Sequence, residues 1–487
     1  MGPPRVFPPI AALERARAWA GQGLTVCDEW WVRQVWRGVG LSAGWLSAVW
    51  NFAGGAGAAG LSTGMARSFL RENARWLSAG VVLTLGSSFG QTYFISIFAD
   101  RIMADYGLSH GEWGAIYTAA TLSSAVALLF AGKLADRIRV ARLAALICLA
   151  YAAIAVGMAL NESPLVLVFL IFGLRFCGQG MISHLGVTAM ARWFRAHRAR
   201  AVAIAGLGYS LGEAVLPRAA ALAEPLIGWR TVWLVVAVVL VVGFLPMIAW
   251  LSRDERSPQG VAEADLSAGR DGRHWSRRDV ARHTLFWMLM PAVIANSFIG
   301  TVIFFQVAHI AETMGWDKVA MTGAYPFYAG TTVMVALIAG WLVDRFGPDR
   351  MLPIFLLPLG AGVAMVGPFA GLWSWFLALS LCGLTTGIAH AMWGAYWAEI
   401  YGTRNIGAVK AMATAAMVVG SAVGPGVTGL LIDLGVDFGV QTLWMAVSVL
   451  VICGLNVLVA GRLPPRLVGD GPAGSGEGAT EQTESQA

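Results

Sequence analysis

The chain has 487 residues, 57% of them hydrophobic and only 13% charged, with a formal net charge of +6. An ordinary soluble protein carries about 25% charged residues, so this composition excludes a soluble globular enzyme and a disordered chain. The positive charge is spread through short segments instead of gathering in one basic patch, which excludes a nucleic-acid-binding protein.

In chain order, residues 1–64 come first. They contain Trp19, Trp30, Trp31, Trp36, Trp45 and Trp50. They hold no clean run of about 20 apolar residues, the length a spanning helix needs. Met65 follows, then a short basic lead from Arg67 to Arg75, then the first long apolar run. This extension is expected to be dispensable, or not translated at all. The rival is an interfacial amphipathic helix, for which Trp and Arg are suited. The mass of the intact native protein tests this: a full-length mass together with activity lost on truncation removes the expectation.

Apolar runs then follow at 76–98, 113–131, 143–160, 165–190, 201–223, 231–252, 284–308, 319–343, 351–372, 373–398, 411–432 and 440–460. Only 165–190, 201–223 and 373–398 carry a few charges or His. These twelve runs predict an all-α membrane protein of twelve transmembrane helices. The narrowest boundary, between the ninth and tenth, is Pro368 to Trp373. Residues 65–251 form a first six-helix bundle and 284–461 a second. Between them, 252–283 is a polar linker, and 462–487 reads as a disordered tail.

Basic residues sort the loops. One set holds Arg67, Arg71 and Arg75, then Lys133, Arg137, Arg139 and Arg142, then Arg192 to Arg200, the linker arginines, Arg345, Arg350, Arg404, Arg462 and Arg466. The alternate loops carry only Arg101, Arg230 and Lys318. An excess of Arg and Lys marks the cytoplasmic side. Both termini are therefore expected there, in a multi-pass protein of the inner (cytoplasmic) membrane.

The chain also contains a duplication. Gly132-Lys-Leu-Ala-Asp136-Arg137 reappears 208 residues later as Gly340-Trp-Leu-Val-Asp344-Arg345. The same offset pairs Arg142 with Arg350, Gly212 with Gly420, Pro217 with Pro425, Gly107 with Gly315, and Ser109 with Asp317. Ser109 and Asp317 both read as helix N-caps, and Glu112 completes a capping box with Ser109. One register kept over so long a stretch is not chance. Six crossings return the chain to its starting side, so the two halves are parallel repeats.

Two six-helix parallel repeats with a linker on the basic side resemble the major facilitator superfamily. That family carries G-x-x-x-D-R-x-G-x-x-R-like motifs after helices two and eight. They stand here as Gly132, Asp136, Arg137 and Arg142, and as Gly340, Asp344, Arg345, Gly347 and Arg350. Arg139 replaces the second Gly of the first copy. Arg175-Phe-Cys-Gly178-Gln179-Gly180 is similar to the family's helix-four element, and helix eleven carries Gly420, Gly424, Pro425 and Gly429. Helix five has Gly208, Gly212 and Pro217 without the Gly-Pro pair of the family's drug antiporters. The run from Trp193-Phe194 to Arg200-Ala201, followed by a Gly-rich helix ending in Pro, resembles the monocarboxylate and oxalate/formate branch.

The resemblance implies a secondary transporter working by alternating access, with a latch at Gly132, Asp136, Arg137, Arg142, Gly340, Asp344, Arg345 and Arg350. It implies helix packing at Gly212, Pro217, Gly420, Gly424 and Pro425. It also implies a central cavity lined by helices one, four, seven and ten. Their mid-depth polar residues are Gln91, Tyr93, Arg175, Gln179, Asn296, Gln306, Thr386 and His390. Each alone is more often a helix–helix hydrogen-bond partner than a ligand.

Arg175 lies about 16 Å deep in helix four, and Glu213 about 18 Å deep in helix five from the other side. Charges at the midplane are costly and mark function. The pair reads either as a substrate and proton site, with Glu213 the proton carrier, or as a structural ion pair. The expected substrate is a small organic anion such as a monocarboxylate, moved with or against a proton or counter-anion. The alternatives are an exporter of amphipathic compounds and a non-transporting membrane receptor. Cys27, Cys148, Cys177, Cys382 and Cys453 form no C-x-x-C pair, and neither a phosphate loop nor an H-E-x-x-H motif is present. No enzyme activity, metal or cofactor is expected. The expected partners are the bilayer and a small solute, for a protein working as a monomer.

Overall fold

A computed structural model describes residues 63–194, 197–254, 268–269, 271–272, 274–366 and 371–461. The N-terminal extension, most of the linker and the tail lie outside these residues.

The spanning helices are α1 (Phe69–Gly90 with Thr92–Tyr106), α2 (His110–Arg137), α3 (Val140–Leu160), α4 (Pro164–Trp193), α5 (Arg198–Ile227) and α6 (Trp229–Leu251). They continue with α7 (Thr284–Phe305), α8 (Tyr325–Phe346), α9 (Leu357–Ala364), α10 (Leu372–Tyr401), α11 (Ile406–Asp433) and α12 (Phe438–Ala460). Two of them depart from the sequence expectation. α1 is not one straight span: it bends by 49° at Gly90 and Gln91. α9 is a short helix preceded by turns in place of a continuous 351–372 span. Pro353 and Pro358 cannot continue an α-helical ladder.

Lipid leaves no water for open backbone groups, so α9 persists only because its neighbours satisfy it. Asn456 Nδ2 donates to the Leu352 carbonyl (3.1 Å), Leu359 N donates to Thr385 Oγ1 (2.9 Å) and Thr442 Oγ1 donates to the Val366 carbonyl (2.8 Å). From Thr442 to Asn456, α12 rises about 21 Å at 1.5 Å per residue, so the segment 352–366 does cross most of the bilayer.

The duplication is visible in the packing. α1 packs on α5 as α7 does on α11; α2 on α4 as α8 on α10; α3 on α6 as α9 on α12. The halves meet where α2 packs on α11 and α5 on α8. The start of α2 and its counterpart repeat in detail. Gly107 and Gly315 end their helices in left-handed conformation (φ 63° and φ 64°), which glycine adopts without strain. Ser109 then caps α2 with Glu112 closing the box, and Asp317 caps the helix Lys318–Thr322.

Glycines set the spacing at these contacts. A Cβ on Gly208 or Gly212 would collide with Thr84 and Ser88 of α1, and one on Gly424 would press on Val302 and Phe298 of α7. Pro217 and Pro425 are buried within α5 and α11. In lipid, where packing replaces the hydrophobic drive, such close approach is what holds helices together. On the side of the arginine-rich loops, Arg75 joins α1 to the end of α6 through Asp254 (2.7 Å) and the Leu251 carbonyl (3.1 Å). That hydrogen bond holds the exposed Asp254 carboxyl below the usual carboxylate range.

Candidate functional site

The break in α1 creates the centre of the site. Ser87–Gly90 tighten into a 3-10 turn and Gln91 is extended (φ −84°, ψ 154°), leaving the Gly90 carbonyl without a helical partner. Arg175 supplies one. Its Nη1 donates to that carbonyl at 2.9 Å and reaches Thr92 Oγ1 at 3.4 Å. Its guanidinium lies 5.1 Å from the Tyr117 ring centroid, and the Tyr117 hydroxyl bonds Thr92 at 2.7 Å. Arg175 opens a π-helical turn of α4, Arg175–Ile182, a local widening frequent at functional sites.

This guanidinium is 1% exposed. Its Nε and Nη2, which form one edge of the planar fork, have no hydrogen-bond partner among the described residues, and neither does the nearby Tyr151 hydroxyl. A buried charge without a counter-charge costs several kcal/mol. An edge of this kind matches a carboxylate bidentately.

The pairing of Arg175 with Glu213 expected from their equal depth is not found: no ion pair joins them among the described residues. Depth says nothing of rotation about the helix axis. Arg175 turns inward behind the α1 break, whereas Glu213 on α5 faces the seam between the halves. There it lies within electrostatic range of Tyr93 of α1 and of Tyr325 and Tyr328 of α8. The Glu213 side chain forms no hydrogen bond or ion pair with a described residue. Among the described residues Glu213 is therefore a mid-membrane carboxylate without a paired cation, where the sequence predicts an ion pair with Arg175 as one of two readings.

The other candidates divide. Tyr93 is buried with its ring 6.4 Å from Phe304, and Phe304 in turn packs on Tyr325 (5.2 Å) and Tyr328 (5.0 Å), so an aromatic wall crosses the seam. Thr386 of α10 bonds the Tyr328 hydroxyl at 3.1 Å. Gln91, Gln179 and Asn296 are half-buried, and His390 is exposed although it lies mid-helix in α10. Gln306 is not part of this set: its amide is buried on Thr428 of α11 (3.0 Å), inside the second half. Lys410, at the start of α11, lies within range of the Arg198 charge at the start of α5.

No hydrogen bond or ion pair joins the latch side chains across the halves among the described residues. Asp136, Arg137 and Arg142 are exposed, and Arg345 and Arg350 are exposed on the other half. Arg345 lies over Trp341 and Phe346 of its own helix (5.3 and 5.6 Å), and the side chain of Asp344 lies outside the description. Hydrogen bonds and ion pairs join the halves mid-membrane and on the arginine-poor side: Thr118 to the Ala422 carbonyl, Lys318 to Asp100 and Glu224, and Asp433 to the start of α2. These contacts close the arginine-poor side.

Sequence reading missed Tyr325 and Tyr328, although their i, i+3 spacing puts both on one face of α8. It also missed the polar contacts at the ends of α5 and α11. Among the described residues, no cluster of His, Cys, Asp and Glu suits a metal ion.

Residues 80–338 and 327–483 match the family profile described as Major Facilitator Superfamily. An uncharacterized 38 kDa protein in a 23S RNA operon of Thermoproteus tenax is 25% identical over 366 residues, 74% of this chain and 89% of that one. The 4-hydroxybenzoate transporter PcaK of Pseudomonas putida is 22% identical over 317 residues, 58% of this chain and 68% of its own length. The protein of that name from Acinetobacter baylyi is 23% identical, covering 60% and 70%. In fold, the chain is similar to a bacterial homolog of the human lysosomal transporter Spinster, in an inward-facing, unoccupied conformation. The TM-score is 0.60 at 16% identity, covering 80% of this chain and 95% of that one.

Proposed function

The chain belongs to the Major Facilitator Superfamily and is a membrane transporter, not an enzyme; from that premise we propose that it is a secondary active carrier of a small aromatic monocarboxylate, coupled to protons. The observation that carries this reading is the free Nε/Nη2 edge of Arg175, a mid-membrane guanidinium with no carboxylate beside it. A substrate carboxylate supplies the missing counter-charge. The aromatic wall of Tyr93, Phe304, Tyr325 and Tyr328 suits a ring, and two of the relatives named above are transporters of 4-hydroxybenzoate, an aromatic monocarboxylate. The free edge is occluded in this state, so substrate reaches it when α1 moves at its break. Gln91, Gln179, Asn296, Thr386 and His390 line the path.

Glu213 carries the proton. It sits at the seam with no hydrogen bond or ion pair to a described cation, so it can take up or release a proton as the seam opens to water. The arginine-rich side is cytoplasmic in this reading, the protein works as a monomer in the inner membrane, and the Asp136 and Asp344 motifs latch that side in the opposite state.

A second reading, export of amphipathic cations, is favoured by Glu213 having no ion pair with a described residue. Proteoliposomes with an imposed pH gradient separate the two. Accumulation of labelled 4-hydroxybenzoate or benzoate, competed by other aromatic acids, is expected. Gradient-driven movement of a hydrophobic cation such as tetraphenylphosphonium, with no carboxylate flux, establishes the exporter instead.

A further inference from the structure

We propose that the arginine-poor side is closed by two carboxylate clamps related by the internal duplication, Glu224 at the end of α5 and Asp433 at the end of α11. Each reaches across to the helix start that lies in the other half. The 208-residue offset carries Ser109 onto Asp317, and carries Glu224 to within one residue of Asp433. The duplicated geometry therefore places an acid at the end of α5 over the start of the Lys318–Thr322 helix, and an acid at the end of α11 over the start of α2.

The two clamps use different chemistry. Asp433 works on backbone amides and a hydroxyl: it accepts from Ser109 Oγ (2.6 Å), Gly111 N (2.8 Å) and His110 N (3.1 Å). These are the unsatisfied donors and the positive pole of the α2 N-terminus, where a carboxylate is favoured. A Cβ on Gly429 or Gly114 would strike the facing backbone at His110 or Pro425, so glycine is what allows the carboxylate to come this close. His110 and His309 of the other half also meet at this seam, with ring centroids 4.7 Å apart.

Glu224 works on cations. It is 6% exposed, with Oε2 at 3.1 Å from Lys318 Nζ and Oε1 at 2.7 Å from Arg101 Nε. Lys318 also binds Asp100 (2.9 Å to both oxygens) and the Ile97 carbonyl (3.0 Å). A cation at a helix start is opposed by the dipole, and the two acids of the other half offset that cost. Such charge-assisted bonds are about twice as strong as neutral ones. The clamps therefore set the equilibrium between the closed and open forms of this side. What that motion accomplishes rests on the transporter reading above.

The full chain, lacking its native cysteines and carrying spin labels at Ala104→Cys and Glu312→Cys, tests this in nanodiscs without substrate. Both label positions are exposed, on the arginine-poor ends of opposite halves. Electron–electron distances should be mostly short. Lys318→Ala and Asp433→Ala should each raise the long-distance population about tenfold, the double variant more, while Lys318→Arg stays short. Glu224→Gln and Asp433→Asn, which keep side-chain shape, should move the distances the same way by less, and keep the test open if the truncations fail to fold. Unchanged distances in folded Lys318→Ala and Asp433→Ala, or widening in Lys318→Arg equal to that in Lys318→Ala, overturn the clamps. This readout needs no substrate, so it fails or succeeds independently of the carboxylate reading.

Discussion

Glu213→Gln should abolish proton-driven accumulation while leaving substrate exchange intact. Glutamine has the shape of the protonated acid and cannot release a proton, so the cycle can turn over loaded but can no longer be driven by pH. The companion change is Arg175→Lys. Lysine keeps the charge yet loses the fork, so it cannot hold the Gly90 carbonyl (2.9 Å in the parent) and a bidentate carboxylate together. Substrate affinity should fall by about tenfold to a hundredfold, equivalent to about 1.4–2.8 kcal/mol. Arg175→Ala should remove uptake altogether, since it also leaves the Gly90 carbonyl buried without a donor. Counterflow and gradient-driven uptake, measured side by side in proteoliposomes, read these effects. Carboxylate uptake that survives Arg175→Ala unchanged would defeat the anion site, and pH-driven accumulation retained in Glu213→Gln would move the proton elsewhere. Because the two residues do not touch, their effects should be separable: Arg175→Lys should change half-saturation and Glu213→Gln the coupling.

Asp136→Asn should abolish or strongly slow transport with membrane insertion intact. Asp136 is exposed at the foot of α2, and its side chain makes no hydrogen bond or ion pair across the seam among the described residues. In the proposed latch, closing the arginine-rich side brings the feet of α2 and α8 toward helices of the other half, whose N-termini favour a carboxylate and not an amide. The substitution keeps size and removes that charge. Asp344→Asn should act in the same direction more mildly if the repeats share the load. Flux at matched surface expression is the measure. Normal flux in both single variants means that these carboxylates only set topology.

The candidate site was partly legible. Arg175 and Glu213 stood out because charge at the midplane is costly wherever it points. Their pairing was misjudged because depth follows from residue count, whereas facing depends on rotation of about 100° per residue and on which helix lies opposite. Glu213 turned out to face Tyr325 and Tyr328 of α8, a partnership between residues more than a hundred positions apart. Gln306 sits at a plausible depth and is spent on Thr428.

The linear part of the design was legible along the chain. A span in lipid must satisfy its backbone within its own segment, so twelve crossings appear as twelve apolar runs, and caps such as Ser109 and Asp317 appear as local patterns. The duplication was legible for the same reason, since a repeat is a relation along the chain. The tertiary structure alone decided where this rule is broken and repaired. The open carbonyl at Gly90 is met by Arg175, α9 is held by Thr385, Thr442 and Asn456, and the arginine-poor side is tied by Lys318 and Asp433. Each repair joins a backbone or charge to a partner on another helix, and such partners are chosen by packing in three dimensions, which hydropathy and spacing do not encode.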